Sequence, residues 1–357
     1  MRILVLGGGA IGTATAWRLA ERGAEVVLVE RHAVAGAASG KSGGFLARDW
    51  CDNTPLGALA RRSFALHAEW AGMEEADWGY RRMDTWSGTL GRDAAATGAG
   101  RGRGPAWVGP AIDINGRIGS TDTTAQVHPG RFTAAMARLA AAKGAEIRIG
   151  TVTGLPRRGD AVVGAEVDGV AVEADAVVLA TGPWSIAARR WLVLPPVWAL
   201  KGHSMVFDTG DALPAEALFL EGTGEDGGML SPEVFPRADG TTYACAISSE
   251  TRLPEDPRAV MPDAGAIPRL RALCAAISPV LAAAPVLAEQ ACHRPVTADG
   301  LPMLGAVPGA PGAFVATGHG VWGILNAPGT AEAMAELVLD GDTRQVNLDA
   351  FDPGRFV

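Results

Sequence analysis

Cysteine is scarce in this 357-residue chain. There are four, Cys51, Cys245, Cys274 and Cys292, far apart, with no Cys-x-x-Cys pair and no histidine at zinc-finger spacing. No disulfide or metal framework is expected, and a reducing cytoplasm fits. The six histidines, His32, His67, His128, His203, His293 and His319, are scattered, and no two have the spacing of metal ligands. Lysine occurs only at 41, 143 and 201, and no Lys/Arg block goes beyond the short Arg101-Gly102-Arg103. With a formal net charge of −8, there is no electrostatic footprint for nucleic acid. No stretch approaches the roughly 18 uninterrupted apolar residues of a membrane span, since even Val280–Ala284 runs into Pro285. A strand-like apolar run begins at Ile3, too early for a signal sequence. These absences predict a soluble, unexported protein that binds neither nucleic acid nor membrane.

Glycine is abundant instead, with 47 residues, or 70 when the 23 prolines are added. That is high, yet below the roughly 25–30% of low-complexity chains. With 48% hydrophobic residues, the length allows one large domain or two of ordinary size. The placement of the glycines says more than their number. Arg2–Leu6 is a branched-apolar run, the pattern of a strand buried on both faces of a parallel sheet. Gly7-Gly8-Gly9-Ala10-Ile11-Gly12 follows, then Thr13–Arg22 with apolar residues at helical spacing, then a second strand, Glu25–Val29, that ends in Glu30. Gly7 makes the tight turn, Gly9 lets backbone approach a pyrophosphate, and Gly12 lets helix and strand pack closely. The phosphates would meet the positive helix N-terminus. Glu30, 23 residues after Gly7, is placed to accept hydrogen bonds from a ribose, and its charge disfavours the 2′-phosphate of NADP. The motif alone leaves FAD and NAD both open.

Further along, the small-residue stretch Gly36–Leu46 reads as a flexible loop or as one that lies against a bulky planar ligand. Leu56–Met73 and Phe132–Lys143 have helical spacing, residues 91–105 read as a surface excursion, and Thr151–Val172 reads as a β-meander. Asp175–Leu179 is a strand running into Ala180-Thr181-Gly182-Pro183-Trp184, Leu200–Ser249 alternates like an antiparallel sheet, and residues 254–285 are mostly helical. Near the end come a strand, Ala313–Ala316, a glycine turn from Thr317 to Gly323, and a helix from Pro328 to Asp340. Strand, glycine turn and helix thus occur at both ends of the chain. The second set separates the cofactors. A helix N-terminus there can face the pyrimidine end of a flavin, where negative charge collects on reduction, and nicotinamide has no such anionic end.

In this order, Gly7–Glu30, Ala38-Ser39, Gly43-Gly44-Phe45, Val127-His128-Pro129, Ala180–Trp184, Arg294–Pro302 and Gly318–Pro328 resemble the D-amino-acid oxidase superfamily of flavoproteins. The resemblance covers nearly the whole chain. It implies an α/β fold in which a glutathione-reductase-like Rossmann FAD domain (1–48, 125–200 and 286–357) interleaves with a substrate domain on a mostly antiparallel sheet (49–124 and 201–285). It implies FAD as cofactor, held by Gly7, Gly9, Ala10, Ile11, Gly12, Glu30, Arg31, Ala38, Ser39, Gly43, Gly44 and Phe45, with Val152 at the adenine. Thr181, Gly182, Trp184 and the run His319, Gly320, Val321, Trp322, Gly323, Ile324 and Leu325 complete the set. It further implies oxidation of a small-molecule amino acid or secondary amine to an imine, with O2 the expected acceptor and H2O2 the product. The alternatives are a flavin dehydrogenase with another acceptor, a non-catalytic flavin-binding scaffold, and an NAD-dependent dehydrogenase, which leaves the C-terminal glycine turn unexplained.

Several single residues matter to that reading. Arg294 resembles the arginine with which glycine and D-amino-acid oxidases clamp the substrate carboxylate, a bidentate pairing that orients the α-carbon; the other reading is a packing arginine. Cys292 falls where sarcosine-oxidase-like members bond covalently to the flavin, against the alternative of a small buried hydrophobe. Val321 stands where glycine oxidase has a second arginine, and Ala244 where sarcosine oxidase has a lysine that helps reduce O2. Lys201 is then the remaining lysine of interest, catalytic or structural. His319 reads as a flavin contact rather than a general base, and Trp322 as a wall favouring an apolar or aromatic substrate. No protein base is required, since an amine can lose its proton to water on binding.

Overall fold

The computed structural model describes residues 1–91, 104–224 and 227–356, so most of the expected surface excursion lies outside the described residues. A six-stranded sheet runs in the order Met303–Ala306, Ala313–Thr317, Ala176–Leu179, Arg2–Leu6, Glu25–Glu30, Glu146–Ile149. All neighbours are parallel except Met303–Ala306. A parallel strand covered on both faces needs apolar side chains at successive positions, and Ile3, Leu4, Val5 and Leu6 are all buried. They divide by parity. Ile3 and Val5 join a core with the helices Ala10–Glu21, Pro129–Ala142 and Gly323–Asp340, while Leu4 and Leu6 pack towards the meander.

The second sheet is eight-stranded, ordered Val286–Val296, Trp198–Asp208, Thr241–Glu250, Glu233–Pro236, Glu216–Thr223, Asp84–Leu90, Ile112–Gly119, with Met229–Leu230 beside Glu216–Thr223. Its pairings are antiparallel except that between Glu216–Thr223 and Asp84–Leu90. Met205, Phe207, Leu218, Leu220 and Val234 pack against the helix Ala266–Ile277. The alternate residues of this sheet's strands, Phe219, Glu233, Phe235 and Tyr243, face a cavity on the other side of the sheet.

Three expectations need adjustment. Val286–Val296, expected with the first sheet, pairs with Trp198–Asp208 in an antiparallel ladder whose register shifts only between Val206 and Phe207, and this carries Cys292 and Arg294 into the second sheet. Gly36–Leu46 is not an open loop, since it contains the short helix Ala38–Lys41 and leads into the strand Phe45–Ala47. The last helix begins at Gly323 and contains Pro328. Proline has no N–H, so the Ile324 carbonyl four residues earlier loses its helical donor. His67 replaces it, with Nε2 2.9 Å from Ile324 O, and the next amide, Gly329 N–H, donates to Ser63 Oγ at 3.1 Å. Both substitutes come from the helix Gly57–Trp70.

Candidate active site

A cavity of about 630 Å³ lies at the carboxyl ends of the parallel strands and is closed on its far side by the second sheet. This is the crevice where open α/β sheets bind ligands. The first glycine turn forms one wall. Gly7 has φ +116°, and a Cβ there would lie 2.4 Å from Ala180 O; a Cβ on Gly12 would lie 1.9 Å from Gly7 O. Gly12 therefore does not line the cavity but lets the helix start against the strand end. Glu30 secures the turn, accepting from Gly8 N–H at 2.7 Å and His32 N–H at 3.0 Å. Ser39 Oγ accepts from Ala10 N–H at 2.9 Å. The following N–H groups of this helix have no intrahelical partners, and Ala10 and Ile11 border the cavity.

Gly150 and Val152 line the cavity near Glu30, and Thr181, Gly182, Trp184 and His319–Ile324 line the rest of the nucleotide side. Residues 254–258 lie across it as a strap. Trp184 Nε1 donates to Pro254 O at 2.8 Å, Arg31 donates to Glu255 O, and His32 Nε2 lies 2.9 Å from Asp256 Oδ1. His319 is buried, its Nε2 3.0 Å from Thr330 Oγ1, and burial pushes its pKa down to about 3. The glycine cradle, the open helix N-terminus and the carboxylate at the second strand fit an elongated dinucleotide, and the second glycine turn lies at the other end.

The remaining wall is aromatic. Phe45, Trp50, Phe219, Phe235, Tyr243 and Trp322 line it, with ring centroids 4.9 Å apart for Phe45–Phe219 and Trp50–Phe219, and 5.3 Å for the stacked Phe45–Phe235. Strand register explains the gathering. Glu233 pairs with Cys245 and with Phe219, Phe235 pairs with Tyr243, and Gly202 pairs with Cys292, and paired residues share a face. Arg294 enters from the same strand as Cys292. Its Nη1 donates to Ser248 Oγ at 3.3 Å, one of five guanidinium donors. Burial opposes its charge, but Cys245, Tyr243, Glu233 and Cys292 beside it raise its pKa overall. Burial raises the Cys292 thiol, with Arg294 and Lys41 opposing.

Of the residues expected at the site, Gly12, Leu325 and Lys201 are not among those lining the cavity. Lys201 lies off the cavity. It sits one residue from Gly202, so strand alternation turns it to the opposite face, where Nζ pairs with Asp263 Oδ1 at 2.5 Å. Its ammonium is spent on that ion pair. Val321 lies at the rim, 64% exposed. Glu233, Trp50, Phe219, Phe235 and Tyr243 escaped sequence reasoning. The one local signal was Glu233, an acid within the apolar strand Glu233–Pro236.

Among the described residues, no helix is long and apolar enough to cross a membrane, and no cluster of His, Cys, Asp and Glu is arranged to hold a metal ion. The fold and cavity define a dinucleotide-binding oxidoreductase of the flavin type. The sequence matches the DAO family of FAD-dependent oxidoreductases over residues 2–337, and the chain belongs to that family. It is 29% identical to an oxidoreductase of Schizosaccharomyces pombe, over 98% of this chain and 97% of that protein. It is 27% identical to glycine oxidase of Geobacillus kaustophilus, over 94% and 92%. The crystal structure of glycine oxidase from Geobacillus kaustophilus superposes with a TM-score of 0.81 at 25% identity, covering 100% of this chain and 99% of that one. Iminodiacetate oxidase from Chelativorans sp. BNC1 shares the fold, with a TM-score of 0.79 at 22% identity over 99% of each chain.

Proposed function

We propose that this protein oxidises an α-amino acid, or a secondary amine that carries a carboxylate, to the imine, with O2 as electron acceptor and H2O2 as product. The carrying observation is Arg294, which lines the cavity among aromatic side chains and has donors to spare for a carboxylate. Bound FAD supplies the hydride acceptor. The chain's own residues do the rest. Gly7–Ile11 and Glu30 hold the nucleotide, the second glycine turn and the helix Gly323–Asp340 direct partial positive charge at the other end, and the aromatic wall excludes water. The six-stranded sheet is, in this proposal, the FAD-binding unit and the eight-stranded sheet the substrate unit. Four free thiols support a cytoplasmic location.

Mixing the holoenzyme anaerobically with a panel of amino acids and N-methyl amino acids tests this reading. Loss of the oxidised flavin spectrum with at least one member is expected, and no loss with any member would refute it. Admitting air and measuring H2O2 then decides the acceptor: one H2O2 per turnover marks an oxidase, and slow recovery without H2O2 a dehydrogenase.

A further inference from the structure

We propose that Glu233 is a second substrate-contacting group of this site: it receives the substrate ammonium and takes up its proton, while Arg294 holds the carboxylate, so that the preferred substrate is an α-amino acid with a large apolar or aromatic side chain. This rests on the oxidation proposed above and names its substrate class. Both residues line the cavity, yet among the described residues they form no ion pair with each other. A structural pair would be closed. Here an acid and a base face the same space across a gap, the arrangement that matches a zwitterion whose two charges sit on neighbouring atoms of one carbon.

Glu233 is not engaged elsewhere. Cys245 Sγ–H donates to its Oε2 at 3.4 Å, and among the described residues Oε1 accepts no hydrogen bond. The groups facing it are Arg294 from Val286–Val296, Cys245 and Tyr243 from Thr241–Glu250, and the uncharged Phe219 from Glu216–Thr223. Burial raises its proton affinity and Arg294 partly offsets this, so its carboxylate is a competent acceptor. In the transfer an N–H bond of the ammonium breaks and an O–H bond forms on Glu233. No electrons change hands, and the neutral amine left behind has the lone pair that oxidation at the α-carbon requires. The rest of the pocket sets the side chain. Besides Arg294, Glu233, Tyr243 and Cys292, the aromatic wall presents Phe45, Trp50, Phe219, Phe235 and Trp322, which offer apolar faces and no second cation for an acidic side chain.

Two ligands that differ only in the amine separate this from a packing role. Phenylalanine, in both enantiomers, and 3-phenylpropanoate are mixed rapidly and anaerobically with holoenzyme, and the flavin spectral shift that precedes any reduction reports binding. One phenylalanine enantiomer is expected to act at about tenfold or more lower concentration than 3-phenylpropanoate, the worth of one charge-assisted hydrogen bond. Glu233→Gln should abolish that preference by tightening 3-phenylpropanoate while leaving FAD binding intact, and Glu233→Asp should restore part of the preference. In the unsubstituted protein, 3-phenylpropanoate should bind more tightly as pH falls and Glu233 is neutralised, and Glu233→Gln should lose that dependence. Equal affinity of the two ligands, no response to either, or a preference that survives Glu233→Gln overturns the inference. Failure of the oxidation reading appears elsewhere, as retained flavin colour despite binding.

Discussion

Replacing His67 by phenylalanine keeps a ring of similar size and removes the donor that serves Ile324 O. The imidazole is fully enclosed, burial pushes its pKa down to about 4, and at neutral pH it is the uncharged form that donates from Nε2. Pro328 leaves that carbonyl without a helical partner, so His67→Phe strands a buried acceptor at a cost of about 1–3 kcal/mol. For 357 residues, the unfolding entropy is about 0.75 kcal/mol/K, which makes the expected loss about 1–4 °C in Tm. Because Gly320–Ile324 line the cavity, FAD should also dissociate more readily. Pro328→Ala tests the cause, since it returns an N–H to position 328. In that background His67→Phe should cost at least about 1 kcal/mol less, a coupling well above the error of a double-mutant cycle. Urea unfolding of the four proteins with FAD saturating, and flavin fluorescence for its affinity, measure both quantities. Strict additivity would refute the view that His67 stands in for the missing amide.

Acid precipitation of the holoenzyme tests Cys292: flavin that stays with the pellet shows a covalent bond, and yellow colour wholly in the supernatant excludes one. Lys201→Met should lower stability, because Asp263 loses one of its partners and keeps Ser249 and His203, while leaving the rate of anaerobic flavin loss within a factor of about two; a large fall in that rate would return Lys201 to the site. Acid should also destabilise the fold. His67 and His319 have folded pKa values of about 4 and about 3, below the ordinary 6.5, so the unfolded chain binds more protons and stability falls as pH drops below about 6.5, towards a limiting slope of about 2.7 kcal/mol per pH unit for two histidines. Urea midpoints at pH 7.5, 6.5 and 5.5 measure this, and constant midpoints would contradict it.

The first thirty residues could be read without a structure because every constraint on them is local. The turn needs Gly7 at positive φ, the helix start needs Gly12 where a Cβ would strike Gly7 O, and Glu30 follows at the end of the next strand. The helices Gly57–Trp70 and Pro129–Ala142 were likewise visible within a few residues, since a repeat of 3.6 or 2 is written along the chain. Pro328 was misread as a helix start because the donor that tolerates it, His67, is far away in sequence.

The sequence by itself thus pointed to a bound dinucleotide and to glycine turns at both ends of the chain, and those turns line one cavity. Backbone approach restricts residue type wherever it occurs, so it leaves a mark in the sequence. The tertiary structure decided which side chains meet in the other half of the cavity. Phe45, Trp50, Phe219, Glu233, Phe235, Tyr243, Arg294 and Trp322 come from separate segments, and only strand register turns Arg294 and Glu233 towards the cavity and Lys201 away from it. Side-chain chemistry at a substrate pocket depends on which faces are brought opposite one another, and that is a property of pairing between distant strands.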